Sequence, residues 1–139
     1  MEELNIRADV DNIQVVTDFV DSRLKALNYP QKILTQINIA IDELFGNIAR
    51  YAFNSGKGPD TVRVEVKANP SSVILTFIDR GMPFDPLAIQ PPDTTLPARE
   101  RKIGGLGIFM VKKSMDNITY EYKDGMNILT IHKNMPSAE

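Results

Sequence analysis

Three short stretches of this 139-residue chain carry side chains whose types and spacing suit joint chemistry. Glu43 and Asn47 stand four apart in Asp42-Glu43-Leu44-Phe45-Gly46-Asn47, Asp79 precedes Gly81 by two, and Gly104-Gly105-Leu106-Gly107 opens an apolar run. Residues four apart on a helix share one face, one turn apart. Glu43 can then serve as a general base on a hydroxyl or water, while the Asn47 amide oxygen ligates Mg²⁺, a cation that takes few protein ligands alongside phosphate and water. A carboxylate at a strand end, such as Asp79, can accept a hydrogen bond from the adenine amine, and Gly81 lets the backbone come close to the base. Glycines at a helix start leave the backbone amides free to face phosphate, where the helix N-terminus favours an anion. Lys102, with Arg99 and Arg101 just upstream, can neutralise phosphate charge. Together these residues describe an ATP-Mg²⁺ site: Glu43 catalytic, Asn47 on the metal, and Asp79, Gly81, Lys102, Gly104, Gly105, Leu106 and Gly107 on the nucleotide.

Each stretch also has a plainer explanation. Glu43 and Asn47 can be solvated helix residues, Asp79-Arg80-Gly81 an Asx-type turn, and the glycines a hinge. An asparagine in mid-helix is mildly unfavourable because its amide competes for backbone hydrogen bonds, which favours a task for Asn47. The glycine pattern is not G-x-x-x-x-G-K-[ST], and it comes too late in the chain for a dinucleotide-binding fingerprint, which follows the first strand. His132 is the one histidine and there is no cysteine, so thiolate metal sites, disulfides and cysteine nucleophiles are excluded. His132 reads as structural, Phe109, Met110 and Met115 as core, and Tyr51 and Phe53 as closing the second helix onto the sheet.

The elements that must position these residues follow from periodicity. Alternation predicts a strand over 4–10, and Val15, Val16, Phe19, Val20, Leu24 and Leu27 predict a helix over 12–27 with Asp11 as its N-cap. A second helix begins near Pro30 and runs to about Tyr51 on the stripe Ile33, Ile37, Ile41, Leu44 and Ile48. Strands are predicted over 62–67 and 73–78 around the turn Asn69-Pro70-Ser71-Ser72. A short helix runs from Gly104 to about Met115, and strands over 118–122 and 127–133 flank Lys123-Asp124-Gly125. Between Met82 and Ile103 lie five prolines and a charged end. A loop of that length in a compact domain is usually a functional lid or a disordered segment. Helices set apart from hairpins predict an α+β two-layer sandwich, with a mixed, mostly antiparallel sheet and the helices on one face.

Length predicts one domain over 1–139. A net charge of -2 offers no field to attract nucleic acid or an anionic membrane. The absence of a signal-peptide pattern or of a long apolar run predicts a cytoplasmic protein without a membrane span.

At the three stretches the chain resembles the GHKL ATPase superfamily, whose members share the Bergerat nucleotide-binding fold. Glu43-x-x-x-Asn47 is similar to its N box, Asp79-x-Gly81 to its G1 box, and Gly104-x-x-Gly107 to its G2 box. The run Asp79-Arg80-Gly81-Met82-Pro83-Phe84-Asp85-Pro86 followed by Gly104-Gly105-Leu106-Gly107-Ile108 most resembles the anti-sigma-factor serine/threonine kinases of bacterial partner-switching systems. The resemblance implies that Glu43 deprotonates a serine on a partner, that Asn47 holds Mg²⁺, that Asp79 reads adenine, and that 87–103 is the ATP lid. It also implies a homodimer that binds a sigma factor in one state and phosphorylates a small antagonist protein in another. Ile103 stands immediately before the glycines, where related kinases often carry a basic residue. The last strand begins Gly125-Met126 rather than Gly-Thr, so no adenine-contacting threonine is carried over. Two alternatives use the same pocket: an ATP-binding module that sequesters a partner without phosphorylating it, and a histidine-kinase-type catalytic domain acting in trans.

Overall fold

A computed structural model describes residues 1–52, 60–88 and 105–135. In chain order its elements are strand β1 (Glu2–Arg7), helices α1 (Ile13–Ala26) and α2 (Gln31–Asn47), strands β2 (Thr61–Ala68) and β3 (Ser72–Asp79), helix α3 (Gly105–Ser114), and strands β4 (Asn117–Lys123) and β5 (Met126–Asn134). The strands form one sheet in the order β1-β2-β3-β5-β4. All four pairings among these strands are antiparallel, so the sheet is not mixed in the sense that the pattern predicted. The reason lies in the connections. The α1–α2 hairpin reverses the chain twice before β2, and the tight β4–β5 hairpin sets β5, not β4, beside β3.

The helices lie on one face, so each strand alternates. Val62, Val64 and Val66 of β2, Val73, Leu75 and Phe77 of β3, and Leu129 and Ile131 of β5 are buried. They meet Val16, Val20 and Leu24 of α1, the α2 stripe from Ile33 to Ile48, and Ile108 and Val111 of α3 in one core. Burial of this kind is the dominant favourable term in folding.

The boundaries moved where local hydrogen bonds overrode periodicity. β1 stops at Arg7 because Asp9 turns the chain: its carboxylate accepts from the Asp11 N–H at 2.9 Å and caps a single 3₁₀ turn, Val10–Asn12. Asn12, not Asp11, is therefore the N-cap of α1, and it makes no side-chain cap bond. α1 ends as Asn28 adopts φ 62°, a left-handed conformation that asparagine tolerates. The Tyr29 N–H then donates to the Leu24 carbonyl at 3.1 Å and the Asn28 N–H to Lys25 at 3.0 Å, the pattern of a Schellman end. At the other hairpin Asp124 and Gly125 both have positive φ, as a two-residue type I′ connection requires.

α2 keeps α-helical geometry only to Asn47, and Ile48–Ala52 widens into a π-helical turn. Such turns are rare and occur frequently at functional sites. Here it carries the end of the helix to the segment after β3, where the Met82 N–H donates to the Ala52 carbonyl at 2.9 Å. Among the described residues no helix is long and apolar enough to cross a membrane.

Candidate functional site

Glu43 and Asn47 lie on the last turns of α2 at the border of the core. Asn47 is 5% exposed and Glu43 half-buried. The Asn47 Nδ2 donates to Glu43 Oε1 at 3.5 Å, which leaves the amide oxygen free to face a cation. Burial holds the Glu43 carboxyl above the ordinary carboxylate range. The Asn47 hydrogen bond draws it back, the neighbouring Asp42 charge pushes it up again, and the Arg50 guanidinium lowers it. A carboxylate raised in this way is a stronger base.

The glycine-rich stretch meets that carboxylate. A Cβ placed on Gly107, in the first turn of α3, would land on the Glu43 carboxylate group, so a larger residue there requires the carboxylate or the helix start to shift. Gly105 is the first residue of α3. Leu106 follows it in that first turn, and Gly104 and Lys102 lie outside the described residues, as do Arg99, Arg101 and Ile103. Of the lid stretch only Leu87 and Ala88 are described, and the Lys112 ammonium donates to the Leu87 carbonyl at 3.0 Å.

Asp79 and Gly81 form the other pole. Asp79 ends β3 at 2% exposure, and its Oδ1 accepts the Gly81 N–H at 2.9 Å. The Asx turn is thus present, and it presents a buried carboxylate. Burial raises the Asp79 carboxyl, and hydrogen bonds from Asn127 and from the Gly81 amide partly offset it. Gly81 is pressed against α2's extension: an added Cβ would lie 2.8 Å from the Ala52 carbonyl carbon. The two poles are therefore tied together through the π-helical turn.

Next to Asp79 is a slot lined by Ile48, Ala52, Phe84, Pro86, Tyr120, Asn127 and Leu129. Its apolar walls and single carboxylate suit a purine with one hydrogen-bond donor. In this conformation it is closed, with an open volume of about 10 Å³, enough for one water-sized sphere. Phe84 and Pro86 sit on the segment that follows β3, with Pro86 buried at the start of a single 3₁₀ turn.

Sequence reasoning missed two residues here. Asn127 is 3% exposed and lies opposite Asp79 in the β3–β5 register. Its signal was available: it occupies the inward phase of β5 shared by Leu129 and Ile131, where a polar side chain must be satisfied. Arg50 lies in the π-helical turn with its guanidinium across Gly46, where a Cβ would stand 2.8 Å from one of its nitrogens.

Other expectations were displaced. Tyr51 does not close the helix onto the sheet: it is 44% exposed and its ring sits 5.5 Å from that of Phe84, while Phe53 lies outside the described residues. Met110 is 51% exposed rather than core because α3 packs through Ile108 and Val111, and Phe109 is half-buried under the Lys113 ammonium at 4.7 Å. Met115 is buried as read. His132 lies half-buried in β5, and its carbonyl accepts the Asp116 N–H at 2.9 Å.

Among the described residues no group of three or more His, Asp or Glu could hold a metal unaided.

Several known proteins are similar to the chain. Serine-protein kinase RsbW of Halalkalibacterium halodurans is 27% identical over 128 residues, covering 89% of this chain and 77% of that protein. Serine-protein kinase RsbW of Bacillus cereus is 23% identical over 134 residues, covering 91% and 81%. Serine/threonine-protein kinase BtrW of Bordetella bronchiseptica is 26% identical over 95 residues, 68% of this chain and 66% of that protein, just under two thirds of its length. The model of the histidine kinase-like ATPase domain matches residues 6–133, a span that holds both poles of the site. With that match, a five-stranded sheet backed by helices, and a carboxylate-amide pair set against a glycine helix start, the chain belongs to the histidine kinase-like ATPase domain family.

Proposed function

We propose that the chain is an ATP-Mg²⁺-dependent protein serine/threonine kinase that acts as an anti-sigma regulatory factor. One observation carries the reading: the raised Glu43 carboxyl, flanked by the Asn47 amide, sits against the first turn of α3 at Gly107. That arrangement supports a base and a cation ligand acting near a helix N-terminus, which favours the charge of a terminal phosphate. The serine-protein kinase names of the relatives support the same reaction.

In this reading Asp79 accepts the adenine amine, and Gly81, Gly105, Leu106, Gly107 and the upstream Gly104 and Lys102 line the nucleotide. Asn47 is the residue that would hold Mg²⁺, which when bound neutralises phosphate charge. Glu43 takes the proton from a partner's serine hydroxyl. The serine oxygen bonds to the γ-phosphorus as its bond to the β,γ-bridging oxygen breaks, leaving ADP and phosphoserine. The chain works as one domain, in the cytoplasm, as a homodimer. Its partners are a sigma factor that it sequesters and a small antagonist protein that it phosphorylates.

The test is phosphate transfer from ATP to proteins that co-purify with the chain, using wild type and Glu43→Ala. Transfer by wild type and its loss in the variant, with partner binding retained, is the expected result. Partner binding without transfer by either would replace the kinase with a sequestering module.

A further inference from the structure

We propose that Asn127 sets the base specificity of this site by positioning Asp79, an inference that rests on the nucleotide reading above. All of its hydrogen-bonding capacity is engaged. Its Nδ2 donates to Asp79 Oδ1 and to the Met82 carbonyl, each at 2.9 Å. Its Oδ1 accepts from the Tyr120 hydroxyl at 2.5 Å and from the Phe84 N–H at 3.1 Å. An asparagine amide offers two donors and one two-lone-pair acceptor, so nothing is left over. Turning the amide over would set its NH₂ against the Phe84 N–H, donor facing donor, which fixes its orientation.

That orientation decides what Asp79 can do. Both hydrogen bonds that the carboxylate receives from the described residues, from Gly81 and from Asn127, go to Oδ1. Oδ2 receives neither of them, and Asp79 lines the slot together with Ile48, Ala52 and Leu129. A fixed acceptor in an apolar slot rewards a ligand that brings a donor there and penalises one that does not, because the buried group is then left unpaired. Asn127 also holds the backbone from Met82 to Phe84, so the wall of the slot and its carboxylate are set by one side chain. Without that amide, Asp79 can rotate and share its acceptors with solvent or the Met82 segment. The preference for an amino-bearing purine falls with it.

The experiment compares the affinity of the Mg²⁺ complexes of ATP and of purine riboside triphosphate, which lacks only the 6-amine, for wild type, Asn127→Ala and Tyr120→Phe. Wild type is expected to prefer ATP. Asn127→Ala is expected to lose about 10-fold in ATP affinity, the scale of one hydrogen bond to a charged group, with the purine analogue unchanged, so that the ratio collapses. Tyr120→Phe removes one of the two donors that orient the amide and should lower the same ratio by a few fold, which keeps the proposal testable if Asn127→Ala does not fold. Equal weakening of both nucleotides in both variants, or no change in either, overturns the role of Asn127. Wild type binding neither nucleotide overturns the nucleotide site itself, which is a different failure.

Discussion

The Glu43 carboxylate lies against the Cα of Gly107, so the second helix and the glycine-rich start of the third share one point of contact with no room for a methyl group. Gly107→Ala must displace either the carboxylate or the helix start. Because a misplacement of about 1 Å in a catalytic group can cost on the order of 100-fold, kcat for phosphate transfer is expected to fall by about that factor. Steady-state kinetics with ATP varied checks this, and an unchanged kcat would show that the contact with Gly107 does not position Glu43.

Asp79→Asn separates stability from binding. Burial raises the Asp79 carboxyl, so the folded state holds its proton more readily than the unfolded chain. The stability this confers is complete below the ordinary carboxylate pKa and is lost as pH rises through the raised folded value. Above that raised value the buried charge is a cost, and asparagine removes it while its Oδ1 can still accept from Gly81 and Asn127. The variant should melt a few degrees higher than wild type at neutral pH, show less gain on mild acidification, and bind ATP about 10-fold more weakly or worse. Thermal melts across pH with an ATP titration read all three.

The acid limb of the kinase pH profile should report Glu43. With Glu43 in the proposed role of base, activity needs its ionised form and is lost as pH falls through a carboxyl that burial holds high. Arg50→Gln removes a cation that lowers that carboxyl and should move the limb to higher pH. Asp42→Asn removes a charge that raises it and should move the limb to lower pH. Shifts in the same direction, or none, would mean that another group titrates.

Gly81→Ala tests the tie between the poles. The new Cβ meets backbone, the Ala52 carbonyl, which no side-chain rotation relieves. Overpacking of this kind costs about 1–3 kcal/mol, and denaturant unfolding should show a loss in that range together with weaker ATP binding. Stability equal to wild type would show that the Met82-to-Ala52 contact yields freely.

Residues a fixed number of positions apart were legible in the sequence, because helix and strand periods are local. The spacing of Glu43 and Asn47 was enough to put them on one helix face, the alternation of Val62, Val64 and Val66 to make a half-buried strand, and Asp124-Gly125 to make a hairpin. The α+β sandwich followed from the order of those elements. Tertiary structure alone decided what depends on contacts between distant segments: that Gly107 reaches Glu43, that Gly81 abuts Ala52, and that Asn127 completes Asp79. It also decided the antiparallel sheet and the exposure of Met110, since which strands pair and which helix face is covered depend on how the chain returns. Propensity and periodicity act over a few residues, whereas burial and the hydrogen bonding of a buried carboxylate are settled by the whole fold.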